Sequence, residues 1–202
     1  MANWIEGSVL ENVHWTENLF SLKIDADVDS FIAGQFTSLG LLIDGERIAR
    51  PYSYLSSPDQ RPLEFFFYTA TGGALSNAMV SLQAGDSIWI KQQANGFFTL
   101  NEVPTADDLW MLGTGTGVAP FLSILNTEEP WQRFKNIVLV YAVRTPSDLR
   151  YQEMIGRLQQ AYGDRFTFQA FVSREEIPGT LHGRVPAAIE NGSLQRAVDM
   201  PL

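Results

Sequence analysis

The order of hydrophobic patterns constrains the fold of this 202-residue chain most, because the pattern changes once, near residue 101. Before that point, short runs rich in β-branched and aromatic residues alternate with turn residues, which is typical of an antiparallel barrel or sandwich. The runs are "LFSLKI" (19–24), "GQFTSLGLLI" (34–43), "IARPYSYL" (48–55), "LEFFFYT" (63–69) and "DSIWIKQ" (86–92). One short helix is predicted within 72–86, where apolar residues recur at helical spacing.

After residue 101 the pattern becomes an alternation of predicted strands and helices. The segments are "LWMLG" (109–113), "VAPFLSIL" (118–125), "NIVLVYA" (136–142), "DLRYQEMIGRLQQAY" (148–162) and "FTFQAFV" (166–172). Alternating βαβ units build parallel sheets. The sequence therefore predicts two domains, an antiparallel β-barrel over 1–101 followed by a parallel-sheet α/β domain over 102–202.

Composition excludes several function classes. A net charge of −9 argues against nucleic acid as a general partner, since binding phosphate backbones needs clustered Lys and Arg. No apolar run approaches the roughly 20 residues of a membrane-spanning helix, so we expect a cytoplasmic protein without a membrane partner. With no cysteine and only two histidines, no metal site is expected. Chemistry that the side chains cannot perform would therefore require a bound cofactor.

A glycine-rich turn lies between the first strand and the first helix of the second domain. In "LWMLGTGTGVAPFLSIL", Gly113, Gly115 and Gly117 can adopt positive φ angles and let an anionic group approach the backbone. A phosphate is the expected ligand. The alternative is a tight turn that uses glycine for steric reasons alone.

Arginines follow the predicted parallel strands where dinucleotide-binding sheets usually carry an acid. In NAD-binding sheets a carboxylate at the end of the second strand bonds the ribose hydroxyls. Here that strand ends at Arg144, and no Asp or Glu follows until Asp148. An arginine there can pair with the 2′-phosphate of NADP, although three unrelated surface arginines are the alternative. The candidate NADP-binding residues at these strand ends are Val143, Arg144, Ser173, Arg174 and Arg184.

The run Arg50-Pro51-Tyr52-Ser53 carries a further signal. Alone, "RPYS" could be a strand edge stiffened by proline, with the arginine solvated and the tyrosine in the core. The order of "RPYS", "GGALS" (72–76) and "GTGTGVAP" (113–120), however, resembles the ferredoxin–NADP⁺ reductase superfamily, specifically the bacterial flavodoxin/ferredoxin reductases. The resemblance extends from about Trp4 to Leu202, and the ordered set of motifs is highly specific.

The resemblance implies an FAD-binding barrel followed by an NADP-binding domain. Arg50 would neutralise the FAD pyrophosphate, Tyr52 would lie against the isoalloxazine, and the Ser53 hydroxyl would sit near the reactive ring nitrogen. Tyr52 and Ser53 are the implied catalytic residues. Thr116 would stand at the junction of flavin and nicotinamide. The remaining implied cofactor-binding residues are Pro51, Phe66, Phe67, Tyr68, Ala74, Leu75 and Ser76, of which at least one aromatic could instead belong to the barrel core.

The activity implied by the resemblance is electron transfer between NADPH and ferredoxin or flavodoxin. Hydride would pass from NADPH to FAD, and electrons would then pass singly to the carrier protein, in a monomeric enzyme of a bacterial cytoplasm. The reductase component of an oxygenase, or a free-flavin or ferric reductase, is an alternative within the superfamily. A non-catalytic flavin-binding module is an alternative from another class.

The chain departs from the family pattern at its end. Members of the family continue with a strand bearing a C-G-x-P-x-M-like motif, a helix and a tail that covers the flavin, and none of this follows "DMPL" (199–202). We therefore expect the NADP-binding domain to be C-terminally incomplete. A sheet of only three strands would also leave the apolar first strand at an exposed edge.

Overall fold

The computed structural model describes residues 3–202, which form ten β-strands and six α-helices. The chain divides into two compact units. The first contains residues up to Pro104 together with Ala119–Thr127, and the second contains Thr105–Val118 together with Glu128–Leu202. Among the described residues, no helix is both long and apolar enough to cross a membrane.

The first unit is built from six of the described strands and two helices. The strands are β1 (Trp4–His14), β2 (Leu19–Asp25), β3 (Phe36–Ile43), β4 (Glu46–Ser53), β5 (Leu63–Tyr68) and β6 (Ser87–Lys91), and the helices are α1 (Ala74–Val80) and α2 (Ala119–Leu125). A 3₁₀ turn covers Leu100–Glu102. The predicted helix within 72–86 is thus confirmed, although it ends at Val80.

The strands of the first unit form an antiparallel barrel. Their order is β4-β3-β6-β1-β2-β5, and every neighbouring pair is antiparallel. The two outer strands meet just beyond the end of β4, where Tyr54 forms an antiparallel bridge with Phe65 and the Leu55 N–H donates to the Glu64 carbonyl at 2.8 Å. The predicted barrel is confirmed.

The core of the barrel lies between the inward faces of the strands and the buried side of α1. Leu75 and Met79 of α1 pack into the same cluster as Phe65, because they recur on one face of the helix. Tyr54 is fully buried in this cluster and its ring stacks on Phe31 at 3.9 Å between centroids. Burial raises the pKa of Tyr54 to about 12, so its phenol stays neutral.

Strand β1 is not among the runs that the sequence pattern predicts. Only Gly7 and Val9 of its eleven residues are buried, so its hydrophobic alternation is weak. The strand is held instead by backbone pairing on both sides, with β2 and β6, and a register shift between Val9 and Glu11 bends it. Tertiary pairing therefore determines this strand.

The second unit is a parallel sheet with helices. Its strands are β7 (Asp108–Thr114), β8 (Asn136–Val143), β9 (Phe166–Val172) and β10 (Leu181–His182), and its helices are α3 (Glu129–Arg133), α4 (Gln152–Tyr162), α5 (Val185–Glu190) and α6 (Ser193–Val198). The strand order is β10-β9-β8-β7, all parallel. The predicted parallel sheet is confirmed, and β10 adds a fourth strand to the three expected. β7 lies at the sheet edge, as expected, and its Leu112 is 36% exposed.

Candidate functional site

The end of β4 carries the first group of candidate residues. β4 pairs with β3, so that Arg50 lies opposite Leu39 and Ser53 opposite Phe36. Arg50 is exposed, and its Nη1 donates only to the neighbouring Ala49 carbonyl at 2.7 Å. No carboxylate of residues 3–202 forms a salt bridge with Arg50. Its positive charge is therefore available to an anionic ligand.

Tyr52 offers a flat ring two residues further along the strand. The residue is half-buried, and its ring meets Phe67 edge-to-face, with 6.0 Å between centroids and an interplanar angle of 77°. Burial raises the pKa of Tyr52, and the charge of Arg50 offsets part of that rise. At neutral pH the phenol is uncharged, so the ring can lie against an aromatic ligand.

Ser53 is the last residue of β4 and supplies a hydroxyl at the rim of the barrel. The residue is half-buried. Its hydroxyl makes no hydrogen bond with any other residue that the structure describes. A serine hydroxyl can both donate and accept a hydrogen bond. Ser53 can therefore hydrogen-bond to a ligand ring atom both before and after that atom changes its protonation state.

The aromatics of β5 divide between the two faces of the strand. Phe67 is 2% exposed and belongs to the barrel core, where its ring stacks on Phe20 at 5.5 Å. Phe66 points to the opposite face, because successive side chains of a strand alternate. Tyr68 ends the strand and is half-buried. Since the Phe67 ring fills the core, any contact of this residue with a ligand involves its backbone.

The loop before α1 presents the start of that helix. The Gly73 N–H donates to the Ala70 carbonyl at 2.8 Å, and the Ser76 hydroxyl accepts from the Ala70 N–H at 3.1 Å. Gly73 is the N-cap and has no side chain to bond the first-turn N–H groups of Ala74 and Leu75. α1 packs against β3 and β4, the strand of Arg50. An uncapped helix start and a free guanidinium thus lie on neighbouring elements.

In the second unit, the glycine-rich turn follows β7 directly. Gly115 has φ +52° and opens a 3₁₀ turn over Gly115–Val118, after which α2 begins at Ala119. A Cβ on Gly117 would meet nothing within 4 Å. Thr116 is half-buried within the turn. The predicted order of strand, glycine turn and helix is confirmed, with α2 assigned to the first compact unit.

The strand-end arginines lie at the C-terminal ends of the parallel strands. The Arg174 N–H donates to the Arg144 carbonyl at 3.0 Å, and the Ser173 N–H donates to the Val143 carbonyl at 3.1 Å. Arg184 follows β10, which pairs with β9. All three arginines are exposed, and no acid of residues 3–202 forms a salt bridge with them. The structure thus places three free guanidinium groups after three adjacent strands.

Asp148, the first acidic residue after Arg144, forms hydrogen bonds within its own turn. Asp148 is buried, and its Oδ2 accepts hydrogen bonds from the Thr145 N–H at 3.2 Å and from the Thr145 hydroxyl at 2.9 Å. The bond from the Thr145 N–H is one half of a capping box that starts a 3₁₀ turn over Pro146–Asp148, and the Asp148 N–H donates to the Thr145 side chain in the other half. Asp148 therefore cannot take the place of the ribose-binding carboxylate of an NAD site.

An open surface pocket of about 420 Å³ in the second unit was not predicted from the sequence. It is lined by Glu176, Ile177, Pro178, Thr180 and His182, and none of the three strand-end arginines is among its lining residues. Among residues 3–202, no group of three or more His, Asp or Glu side chains is placed to hold a metal ion.

Comparisons with known proteins follow this division of the chain. Residues 8–97 match the family model of the oxidoreductase FAD-binding domain, and residues 111–199 match that of the oxidoreductase NAD-binding domain. A flavodoxin/ferredoxin–NADP reductase from Shigella flexneri is 47% identical over 202 residues, covering 100% of this chain and 82% of the relative. The chain belongs to the flavodoxin/ferredoxin–NADP reductase family.

Other members of this family support the assignment. The flavodoxin/ferredoxin–NADP reductase of Escherichia coli K12 is 46% identical, again over 100% of this chain and 82% of the relative. A crystal structure of a ferredoxin NADP⁺ reductase from Neisseria gonorrhoeae with bound FAD and NADP superposes with a TM-score of 0.93 at 33% identity. That comparison covers 100% of this chain and 82% of the other. The resemblance seen in the sequence motifs is confirmed.

Proposed function

We propose that this protein is an FAD-dependent oxidoreductase that passes electrons between NADPH and ferredoxin or flavodoxin. The observation that carries the proposal is the end of β4, where a free guanidinium, an uncharged half-buried ring and a free hydroxyl stand at Arg50, Tyr52 and Ser53. These three groups match the diphosphate, the flat ring system and the proton-exchanging nitrogen of FAD. The named relatives are reductases of this kind.

The residues of the barrel fit FAD. A diphosphate needs positive charge and N–H donors, which Arg50 and the uncapped start of α1 at Ala74 supply from neighbouring elements. Pro51 stiffens β4 between the anion-binding and ring-binding residues. Leu75 anchors α1 in the core, and Ser76 closes the loop before it, so both act by holding the helix start in place.

In the second unit, the arginines at the strand ends favour NADPH over NADH. Arg144 and Arg174 follow neighbouring strands and are joined by a backbone hydrogen bond. An arginine that contacts the 2′-phosphate would favour NADPH, because NADH lacks that group. Arg184 extends the same positive edge. The glycine turn, with Thr116, would hold the pyrophosphate that NADPH and NADH share. Val143 and Ser173 position the two arginines through the backbone ladder.

The chemistry divides between cofactor and protein. Bound FAD supplies the ability to accept two electrons from NADPH and to release them one at a time. Tyr52 orients the ring system through stacking, and β5 borders the same position through Phe66, Tyr68 and the backbone of Phe67. The Ser53 hydroxyl holds or moves a proton at Oγ, where no other described side chain competes for it. We propose that the protein is a cytoplasmic monomer.

Anaerobic absorbance spectroscopy tests the proposal. Protein reconstituted with FAD is mixed with NADPH, and the visible flavin band should bleach; adding oxidised flavodoxin or ferredoxin should then restore it. The same experiment with NADH is the control and should bleach the band more slowly. Yellow protein that neither cofactor bleaches would instead identify a non-catalytic flavin-binding module, and bleached protein that passes electrons only to free flavin or ferric iron would identify the other reductase types.

A further inference from the structure

The Ser53 hydroxyl is positioned by the backbone alone. It makes no hydrogen bond with any other residue of the described chain, 3–202, so no side chain fixes its direction. Ser53 lies opposite Phe36, and these two residues form the last pair in the ladder between β4 and β3. The ends of a ladder open more readily than its middle. Whatever holds the backbone at this last pair therefore also holds the hydroxyl.

Gln35, the residue before β3, connects three segments of the first unit through four hydrogen bonds. Its carbonyl accepts from the Tyr54 N–H at 3.2 Å, which continues the pairing past the end of β4. Its N–H donates to the Ile32 carbonyl at 3.1 Å, and its Oε1 accepts from the Ile32 N–H at 2.9 Å. Its Nε2 donates to the Gly96 carbonyl at 3.1 Å. One residue thus joins the turn before β3 and the loop after β6 to the end of β4.

The loop after β6 also pairs with the free side of Phe36. The Phe36 N–H donates to the Asn95 carbonyl at 3.0 Å, and the Asn95 N–H donates to the Phe36 carbonyl at 2.8 Å. A Cβ on Gly96 would lie 2.9 Å from Cδ1 of Phe36, so the loop and the strand are in close contact. The bond from Gln35 to Gly96 therefore holds the loop against Phe36, whose other side faces β4.

We propose that Gln35 is a positioning residue for flavin reduction, because its side-chain amide fixes the backbone that carries the Ser53 hydroxyl. This inference rests on the proposed role of Ser53 at the flavin ring. Alanine at position 35 would leave the Ile32 N–H and the Gly96 carbonyl without their side-chain partner. The end of the ladder would then open more often, and a small displacement of a reacting group lowers the rate. The groups are partly exposed, so we expect a loss of about threefold to tenfold.

A double-mutant cycle, measured by stopped-flow reduction of the FAD-loaded protein with NADPH, tests this inference. In this reaction a hydride passes from NADPH to bound FAD, the visible flavin band is lost, and NADP⁺ is released. Gln35→Ala should slow the reduction about threefold to tenfold. In the Ser53→Ala background the same change should alter the rate less than about twofold, because the hydroxyl that Gln35 positions is already absent.

Gln60→Ala is the matched control, because Gln60 closes another turn of the first unit with the same pair of bonds. Its Oε1 accepts from the Ser57 N–H at 3.0 Å, and its N–H donates to the Ser57 carbonyl at 3.0 Å. This variant should be reduced at the parent rate. Gln35→Glu keeps the acceptor for the Ile32 N–H and loses only the donor to Gly96. It should slow the reduction by a smaller factor, and it provides the same test if the alanine variant does not fold.

Hydrogen exchange of the FAD-loaded protein, followed by NMR, gives a readout that does not depend on turnover. The Tyr54 N–H is bonded to the Gln35 carbonyl and reports opening of the ladder end directly. It should exchange about threefold to tenfold faster in Gln35→Ala than in the parent, and at the parent rate in Gln60→Ala.

Three outcomes would overturn the positioning role and leave the proposed function standing. They are a parent rate of reduction in Gln35→Ala, an equal loss on this change in the parent and Ser53→Ala backgrounds, and a parent rate in Ser53→Ala itself. Unchanged exchange of the Tyr54 N–H in Gln35→Ala would also overturn it. FAD-loaded parent protein that NADPH does not reduce would overturn the proposed function, and this inference with it.

Discussion

Replacement of Arg174 by alanine should lower the affinity for NADPH about tenfold and leave that for NADH nearly unchanged. A charge-assisted hydrogen bond contributes about 1.5–3 kcal/mol. Arg174 is exposed, so solvent screening favours the lower end of this range, and about 1.4 kcal/mol corresponds to a factor of ten. Because NADH lacks the 2′-phosphate, the affinity of the variant for NADH should fall less than about twofold.

The structure also predicts how Arg144 and Arg174 combine. The Arg174 N–H donates to the Arg144 carbonyl at 3.0 Å, just beyond the paired ends of β8 and β9. The proposed site requires both guanidiniums to contact the same 2′-phosphate. If the two contacts are independent, the affinity of the double variant for NADPH should be about a hundredfold lower than that of the parent. A double-mutant cycle would reveal any coupling between them.

The assay is steady-state kinetics with NADPH and NADH for the parent, Arg144→Ala, Arg174→Ala and the double variant. The KM for NADPH should rise, and kcat should change little, because the phosphate contact is made in both ground and transition states. Arg157→Ala is the matched control, since Arg157 is an exposed arginine on α4 and its loss changes the net charge equally. Equal losses for NADPH and NADH, or an equal effect in the control, would refute the reasoning.

Three further predictions concern the first unit. Arg50→Ala should weaken FAD binding by roughly 1.5–3 kcal/mol, measured by fluorescence titration of the apoprotein; an unchanged dissociation constant would remove Arg50 from the FAD site. Ser53→Ala should slow flavin reduction in stopped-flow mixing with NADPH while FAD stays bound, and parent-like rates would exclude Ser53 from the reaction. Gly34→Ala should destabilise the fold by more than about 3 kcal/mol in urea unfolding, because Gly34 has φ +97° and its added Cβ would lie 1.9 Å from the Phe98 carbonyl oxygen. Gly45→Ala, with φ +82° and nothing within 4 Å, isolates the backbone strain and should cost only about 1 kcal/mol; equal losses at both positions would contradict the steric argument.

Much of the fold could be predicted because the relevant information is local. The alternating runs that became β2, β5 and β6, and the apolar strands β7, β8 and β9, carry their own hydrophobic periodicity. Strand β1 could not be predicted in this way, because only two of its residues are buried and its position depends on pairing with β2 and β6. Strand β10 has only two residues, too few for any periodic signal.

For the candidate site, the sequence by itself determined which chemical groups are present: the arginine, tyrosine and hydroxyl of "RPYS", the glycines of the turn and the arginines after the strands. The resemblance of these motifs to those of the reductase family indicated FAD, and the arginines after the strands indicated NADP. Only the tertiary structure decided which of these groups are free. The Asp148 carboxylate takes part in a capping box, and the Phe67 ring fills the barrel core. A backbone hydrogen bond joins Arg144 to Arg174, which follow separate strands. The physical reason is that charge and ring type belong to a single residue, whereas burial, hydrogen-bond partners and distances across a sheet depend on segments far apart in the chain.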